Sequence, residues 1–395
     1  MIKIQDDILT SIDQNKCVVL LLLDLSAAFD TVDHSILLTR LNKRFGIQKQ
    51  AHKWISSYFE NRKQAVVIDG NYSKEHILTC NVPQGSVLGP KFFLDYESPL
   101  GNIIRSHGMS AHFYADDTQI YLAFDPDSES LSMSKLEDCI ADIRKWMSSN
   151  YLKLNDDKTE LIFLGTSKNL SKLTITSVQI GDSKIESSSH VRNIGAIFDS
   201  QLKMDKQVLN TCKSAWFRLY QIGKIRPYLS SDQTKSIIHA YVTSKLDQNN
   251  SLLVGCPDTL LARLQKVQNA AAKLIFKANK YDHVTGLLKE LHWLPLCKRI
   301  VFKVLLFTYK ALNGEGPKYL SDSLTWHNPK RSLRSSNSLL LNIPKTRLKT
   351  YGDRAFSVAA PRLWNDLPLR IRQSSSTNIF KTNLKTYLFK SVYEG

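Results

Sequence analysis

Three aspartates are the residues of this chain best able to do chemistry. Asp116 and Asp117 are adjacent within residues 111–124, "AHFYADDTQIYLAF", and Asp24 follows the apolar run "CVVLLLL". The residues flanking the doublet, His112 to Tyr114 and Ile120 to Leu122, are aromatic, β-branched or large and apolar, which is the composition of a strand. Two strands joined by a turn at Ala-Asp-Asp-Thr would hold both acids at a hairpin tip, a costly arrangement unless something positive sits there. Asp24 stands where a buried strand runs out, so its carboxylate is expected at a strand end too. If the two strands are neighbours in one sheet, the carboxylates converge. Converging hard oxygen donors suit a pair of divalent cations about 3.5 to 4 Å apart, one activating an attacking oxygen and the other stabilising a leaving phosphate oxygen. Taken singly, Asp24 reads as a strand-terminal or helix-capping acid; the doublet some ninety residues on gives it chemical meaning.

The elements that must position these acids can be read from the pattern. After a short helical lead-in comes the strand of residues 17–25, then "HSILLTRLNKRFG" at helical spacing with Gly46 as its stop. A helix over "QKQAHKWISSYFENR" leads to a strand over "QAVVIDG". From Ile77 the chain reads as a short strand, the Gly/Pro-rich loop "NVPQGSVLGP" and a helix through Ile104. The hairpin of residues 113–124 follows, then a polar linker, "DPDSESLSMS", and a helix over residues 135–150. "YLKLNDDKTELIFLG" returns as strand, turn and strand, and "KLTITSVQIG" and "HVRNIGAIFDS" add two short strands. Interleaving of this kind predicts an α+β domain with an antiparallel sheet.

Composition bounds the rest. A chain of 395 residues with 43% apolar content can bury a substantial core, and its length suggests two or three domains. The longest apolar run, residues 17–23, is too short to cross a bilayer, and acids at Asp6, Asp7 and Asp13 exclude a signal-peptide layout. Six scattered cysteines without a C-x-x-C pair point to neither a zinc site nor a disulfide framework. An intracellular location, nuclear or cytoplasmic, is expected. Residues 1–200 carry 21 Lys/Arg against 25 Asp/Glu, whereas residues 201–395 carry 32 against 11. A basic surface therefore belongs to the second half, and nucleic acid is its leading partner. Helices dominate there to about Leu312. In "TLLARLQKVQNAAAKLIFKA" the apolar residues Leu260, Leu264, Val267, Ala271 and Leu274 recur at helical spacing, and Arg263, Lys266, Lys273 and Lys277 are candidates for phosphate contacts. The stretch to Asn342 reads as loosely structured, before a final helix near residues 379–387. Trp293/Leu294 and Leu363/Trp364 read as core.

Four motifs occur in order: "LLLDLSAAFDTVDH", "NVPQGSVLGP", "FYADDTQIY" and "LKLNDDKTELI". With these the chain resembles the reverse transcriptases of non-LTR retrotransposons, LINE-type and jockey-like. "HVRNIGAIFDSQL" is similar to the family's segment leading to the primer grip, and "LQKVQNAAAKLI", "LHWLPLCKRIVFKVLLFTYKALNG" and "GDRAFSVAAPRLWNDLPLRIR" to the tail after its polymerase. The resemblance implies a palm with an antiparallel sheet over residues 1–200, a helical thumb-like basic region over 201–312, and a C-terminal extension, partly irregular, over 313–395. It implies RNA-directed DNA polymerase activity with an RNA template, a DNA primer, deoxynucleoside triphosphates and two Mg²⁺ ions, for which Mn²⁺ can substitute. Asp24 and Asp116 would be metal ligands, with Asp117 assisting. Phe29 would be the gate under the sugar that leaves no room for a 2′-hydroxyl. Gln84 and Gly85 would shape the pocket beside the templating base, and Lys158 would sit near the leaving pyrophosphate.

Only 23 residues precede Asp24, where family members carry several tens of residues of fingers, so a chain with most of its fingers missing is expected. Lys91 and Asp95 occupy positions where the family has apolar residues in a packed helix, and unpaired burial of charge is expected there. Two other readings stay open: a catalytically silent nucleic-acid-binding remnant that keeps the basic half, and an unrelated metal-dependent phosphoesterase. The absence of a His-rich cluster and the Gln84/Gly85 loop argue against the latter.

Overall fold

Seven consecutive apolar residues, Cys17–Leu23, have no polar side to offer water, so the strand they form must be covered on both faces and hydrogen-bonded on both edges. The computed structural model, which describes residues 1–327 and 339–394, has this arrangement. Four strands, β1 (Cys17–Leu23), β2 (Ser110–Tyr114), β3 (Asp117–Phe124) and β4 (Glu160–Leu164), form an antiparallel sheet in the order β4-β1-β3-β2. Leu20 and Leu21 of β1 are fully buried on opposite faces. The fold is α+β, as the sequence predicted: rich in helices, with small antiparallel sheets.

Residues 17–194 form one compact unit, and residues 1–16 with 195–395 form the other. In the first, Cys17, Val19, Leu21 and Leu23 of β1 pack with Phe92, Phe93 and Tyr96 from the helix Gly89–Glu97 and with Leu136, Ile140 and Ile143 from the helix Glu129–Ser149. The helix His34–Phe45 starts where the Asp33 carboxylate accepts the Ile36 N–H at 2.8 Å, and it stops at Gly46 in the left-handed conformation, as predicted.

Several local expectations need correction. The "polar linker" of residues 125–134 is helical from Glu129, because Ser132, Met133 and Leu136 continue one buried stripe and the Glu129 carboxylate accepts the N–H groups of Thr174 and Ile175. The helix expected through Ile104 is two helices, Gly89–Glu97 and Leu100–Ser106, separated at Ser98 and Pro99. "QAVVIDG" contributes only the exposed two-residue ladders at Lys63–Gln64 and Val67–Ile68. Lys91 and Asp95 are not unpaired: one turn apart, they form an ion pair, with the lysine exposed and only the aspartate buried.

The second unit includes the N-terminal helix Ile2–Asp13. Its apolar residues Ile4, Ile8, Leu9 and Ile12 are buried, and two of its acids reach backbone donors more than three hundred residues away. Asp6 accepts the Ser357 N–H and hydroxyl at 2.8 Å each, at the start of the helix Phe356–Asn365. Asp13 accepts the N–H groups of Arg347 and Leu348, the latter at 2.7 Å. A Cβ on Gly352 would lie 2.5 Å from Asp13 Oδ1, so this approach requires glycine. Around Trp364, buried as expected, Tyr309 and Phe380 stack at 4.2 Å between ring centroids, joining the helices Leu296–Leu312 and Thr377–Tyr393. The C-terminal helix is longer than the predicted 379–387, and the helix Phe356–Asn365 was not foreseen. Of the stretch expected to be irregular, residues 328–338 lie outside the described residues.

Asp13→Ala should lower the free energy of unfolding by roughly 1 to 3 kcal/mol, because it leaves the Arg347 and Leu348 N–H groups without their buried acceptor. Urea denaturation followed by circular dichroism measures this.

Candidate active site

The antiparallel register decides where the acids meet. Leu23 of β1 is paired with Thr118 of β3, and Leu22 with Glu160 of β4. Continuing each pairing past the end of β1 sets Asp24 opposite Asp117 on one side and opposite Lys158 on the other. Side-chain contacts agree on the second neighbour, since Lys158 Nζ lies 3.4 Å from Asp24 Oδ2. Asp24 also accepts a hydrogen bond from Asn155 Nδ2 at 3.2 Å, while its carbonyl accepts the Asn155 N–H at 2.9 Å.

The hairpin between β2 and β3 is tighter than a turn over Ala-Asp-Asp-Thr. Tyr114 already pairs with Asp117, which leaves Ala115 and Asp116 alone in the turn. Ala115 takes a left-handed φ of +53°, a conformation that disfavours a residue with a Cβ. Asp116 is therefore at the tip and Asp117 is the first strand residue, exposed and beside Asp24. Partial desolvation, followed by the negative charges of Asp116 and Asp24, raises the Asp117 carboxyl above the usual carboxylate range. Asp117 thus feels the charges of both other acids, and Lys158 lies beside Asp24.

A divalent cation fits this donor set chemically. The groups are hard carboxylate oxygens at adjoining strand ends, and their mutual repulsion is the kind that a bound cation relieves. Among the described residues no group of three or more His, Cys, Asp or Glu side chains is arranged so that it could hold a metal ion.

The turn that carries Lys158 is held from behind. Arg144, from the helix Glu129–Ser149, donates to both Asp156 oxygens at 2.9 and 3.1 Å, and the Ser183 hydroxyl adds a bond at 3.3 Å. Sequence reasoning missed Asn155 and Arg144; the only signal for Asn155 was its position in "LNDDK", next to the predicted turn.

Phe29 lies in a turn after β1, with its ring 5.2 Å from that of Phe93. The loop that carries Gln84 and Gly85 is strapped to the same turn: Val82 N–H donates to the Phe29 carbonyl at 2.9 Å, and Asn81 N–H to the Val32 carbonyl at 3.0 Å. Gly85 has a φ of +80°, which accounts for glycine there, and Gln84 is exposed. The strap brings Phe29, Gln84 and Gly85 into one neighbourhood; no hydrogen bond or ion pair among the described residues joins them to the acids. Arg263, Lys266 and Lys273 lie on the helix Asp258–Phe276 of the other unit, with Lys277 as its left-handed cap. At helical spacing the three basic residues within the helix span about 80° of arc, beside the buried stripe.

Residues 3–198 match the reverse transcriptase (RNA-dependent DNA polymerase) family. This match and the relatives that follow support a retrotransposon reverse transcriptase. It is similar to the probable RNA-directed DNA polymerase from transposon X-element of Drosophila melanogaster, at 24% identity over 88% of this chain and 38% of the relative. Likeness to the probable RNA-directed DNA polymerase from transposon BS of the same organism is 23% over 72% of this chain and 32% of that one. The RNA-directed DNA polymerase from its mobile element jockey matches at 29% over 34% of this chain and 15% of the relative. The chain thus spans about a third of the length of the first two relatives. Reverse transcriptases generally use divalent metal ions.

One acid near the site was not foreseen. Glu97, at the end of the helix Gly89–Glu97, is 2% exposed, and neither carboxylate oxygen has a hydrogen-bond partner among the described residues. Burial, and then the charge of Asp116, push its pKa up to about 8. Since the folded value lies above the ordinary 4.5, the group's contribution to stability is full below pH 4.5 and is lost as pH rises through about 8. In metal-free buffer, stability should fall by a few kcal/mol between pH 5.5 and 8.5. Glu97→Gln should flatten that slope, as read from urea midpoints across the range.

Proposed function

We propose that this chain extends a DNA primer on an RNA template with deoxynucleoside triphosphates, as the polymerase part of a retrotransposon protein. The observation that carries this reading is the β1 register, in which Asp24 stands between Asp117 and Lys158 with Asp116 in the adjoining turn. Asp24 and Asp116, assisted by Asp117, would hold two Mg²⁺ ions or Mn²⁺ in their stead. Bound there, the metals supply Lewis acidity to the attacking 3′-hydroxyl and to the leaving pyrophosphate.

The remaining roles fall to the chain's own groups. Lys158 carries a mobile ammonium beside Asp24, suited to giving a proton or a charge-assisted hydrogen bond to the leaving group. Phe29, backed by Phe93, presents a rigid ring that would exclude a 2′-hydroxyl. Gln84 and Gly85, held to the Phe29 turn, would line the templating-base side, where a glycine allows close backbone approach. Arg263, Lys266, Lys273 and Lys277 would contact phosphates without reading sequence, as a translocating enzyme requires. In this reading residues 1–200 act as palm, 201–312 as a thumb-like region and 313–395 as an extension, in a nuclear or cytoplasmic setting. No helix among the described residues is long and apolar enough to cross a membrane, and no membrane enters the mechanism.

The basic helix Asp258–Phe276 alone would serve a second reading, a nucleic-acid-binding remnant without catalysis.

Purified protein on a poly(rA)/oligo(dT) primer-template should incorporate dTTP, and Asp116→Asn should reduce the rate by at least roughly a hundredfold. Binding of the primer-template without incorporation would establish the remnant instead. Phe29→Val should narrow the preference for dTTP over UTP by roughly tenfold or more, measured as the ratio of kcat/KM values.

A further inference from the structure

Past Leu23 the chain leaves the four-stranded sheet, and a second, shorter ladder takes over. Leu25 pairs with Leu154 and Ser26 with Lys153, and both leucines are buried. Continuing that antiparallel pairing by one step sets Asn155 opposite Asp24. Backbone contacts agree, since the Asn155 N–H donates to the Asp24 carbonyl at 2.9 Å. The Asn155 carbonyl in turn accepts the Lys158 N–H at 3.2 Å and the Thr159 hydroxyl at 3.0 Å. Asn155 therefore joins the strand end that carries Asp24 to the turn that carries Lys158.

The side chain adds a contact of a different kind. Asn155 Nδ2 donates to Asp24 Oδ2 at 3.2 Å, and Lys158 Nζ approaches the same oxygen at 3.4 Å. Asp24 Oδ1 has no hydrogen bond or ion pair among the described residues. One oxygen is held by the chain, and the other is left for a ligand. The two holders differ in what they can do. An ammonium group on a flexible stem, 68% exposed here, can leave for a reacting phosphate, whereas an amide whose backbone is bonded on both sides stays in place. Asparagine also suits the charge of the site, because it donates without adding charge where Asp116 and Asp24 already bear on Asp117. An aspartate of the same shape accepts only, and would set one more negative charge against Asp24.

We propose that Asn155 is a positioning residue for nucleotidyl transfer: its amide fixes the Asp24 carboxylate by Oδ2, so that Oδ1 stays presented when Lys158 turns to the leaving group. This role rests on the polymerase reading above. Asn155 acts through Asp24 and touches neither substrate nor reacting atoms. Hydrogen bonds that orient a ligating carboxylate typically matter by about ten- to a hundredfold.

Steady-state dTTP incorporation on poly(rA)/oligo(dT) by the full chain separates the donor from the fold. Asn155→Asp keeps the shape and the backbone bonds but loses the donor. It should lower kcat by roughly tenfold or more, with KM for dTTP changed by less than about threefold and the thermal midpoint within a few degrees. Asn155→Ala, which loses the donor without adding charge, should lower kcat by a smaller factor. A second measurement needs neither substrate nor metal: urea midpoints in EDTA for Asn155→Ala, Asp24→Ala and the double variant. With Asp24 already alanine, the change at Asn155 should shift the midpoint by less than half as much as it does in the unmodified chain. The proposal is overturned if Asn155→Asp retains kcat, if it raises KM alone, or if the midpoint shifts are additive. An unmodified chain that incorporates nothing overturns the polymerase reading instead, and the urea cycle then still decides whether Asn155 holds Asp24.

Discussion

The candidate site depends on the register of one strand. β1 is apolar on both faces, so it is fixed between β3 and β4 by burial as well as by its hydrogen bonds, and its last pairs, Leu22 with Glu160 and Leu23 with Thr118, determine what flanks Asp24. A slip of one residue against either neighbour would turn the buried leucines to the opposite face and separate Asp24 from Asp117 or from Lys158. The core of the sheet thereby holds in proximity like charges that would otherwise move apart. No side chain at the acids needs to supply that force, because it comes from the apolar run upstream.

Around this register the chain carries identifiable costs and supports. Ala115 is held in a left-handed conformation so that Asp116 can occupy a turn of only two residues. Asp117 is held near two other acids, and Glu97 is buried without a partner close enough to feel Asp116. Against these stand Lys158 and Asn155 on Asp24, and Arg144 behind Asp156. Conflict concentrated at one sheet end, within a unit whose other local choices are consistent, is the pattern expected of a functional site rather than a structural one.

The sequence made the strands of this site legible because their evidence is local. An apolar run that stops at Asp24, and a hairpin pattern around Asp116 and Asp117, each need only a dozen residues to read. What escaped was settled by distant partners. The segment after Asp125 looked like a linker because Ser and Glu are polar, yet Glu129 has its backbone donors at Thr174 and Ile175. Lys91 and Asp95 looked like buried charges, and helical spacing alone would have paired them. In sequence Asp6 and Asp13 serve only to exclude a signal-peptide layout, and nothing near them announces Ser357, Arg347 and Leu348.

The basic excess of the second half was equally plain as an amount and invisible as an arrangement. Composition treats every lysine alike, but the fold sorts them. Arg299 is consumed by Asp247, and Lys273 donates to the Lys280 carbonyl, whereas Lys235, Lys303 and Lys385 are left without carboxylates around one cavity. Composition gives the amount of charge, and only the fold shows which of it already has a carboxylate.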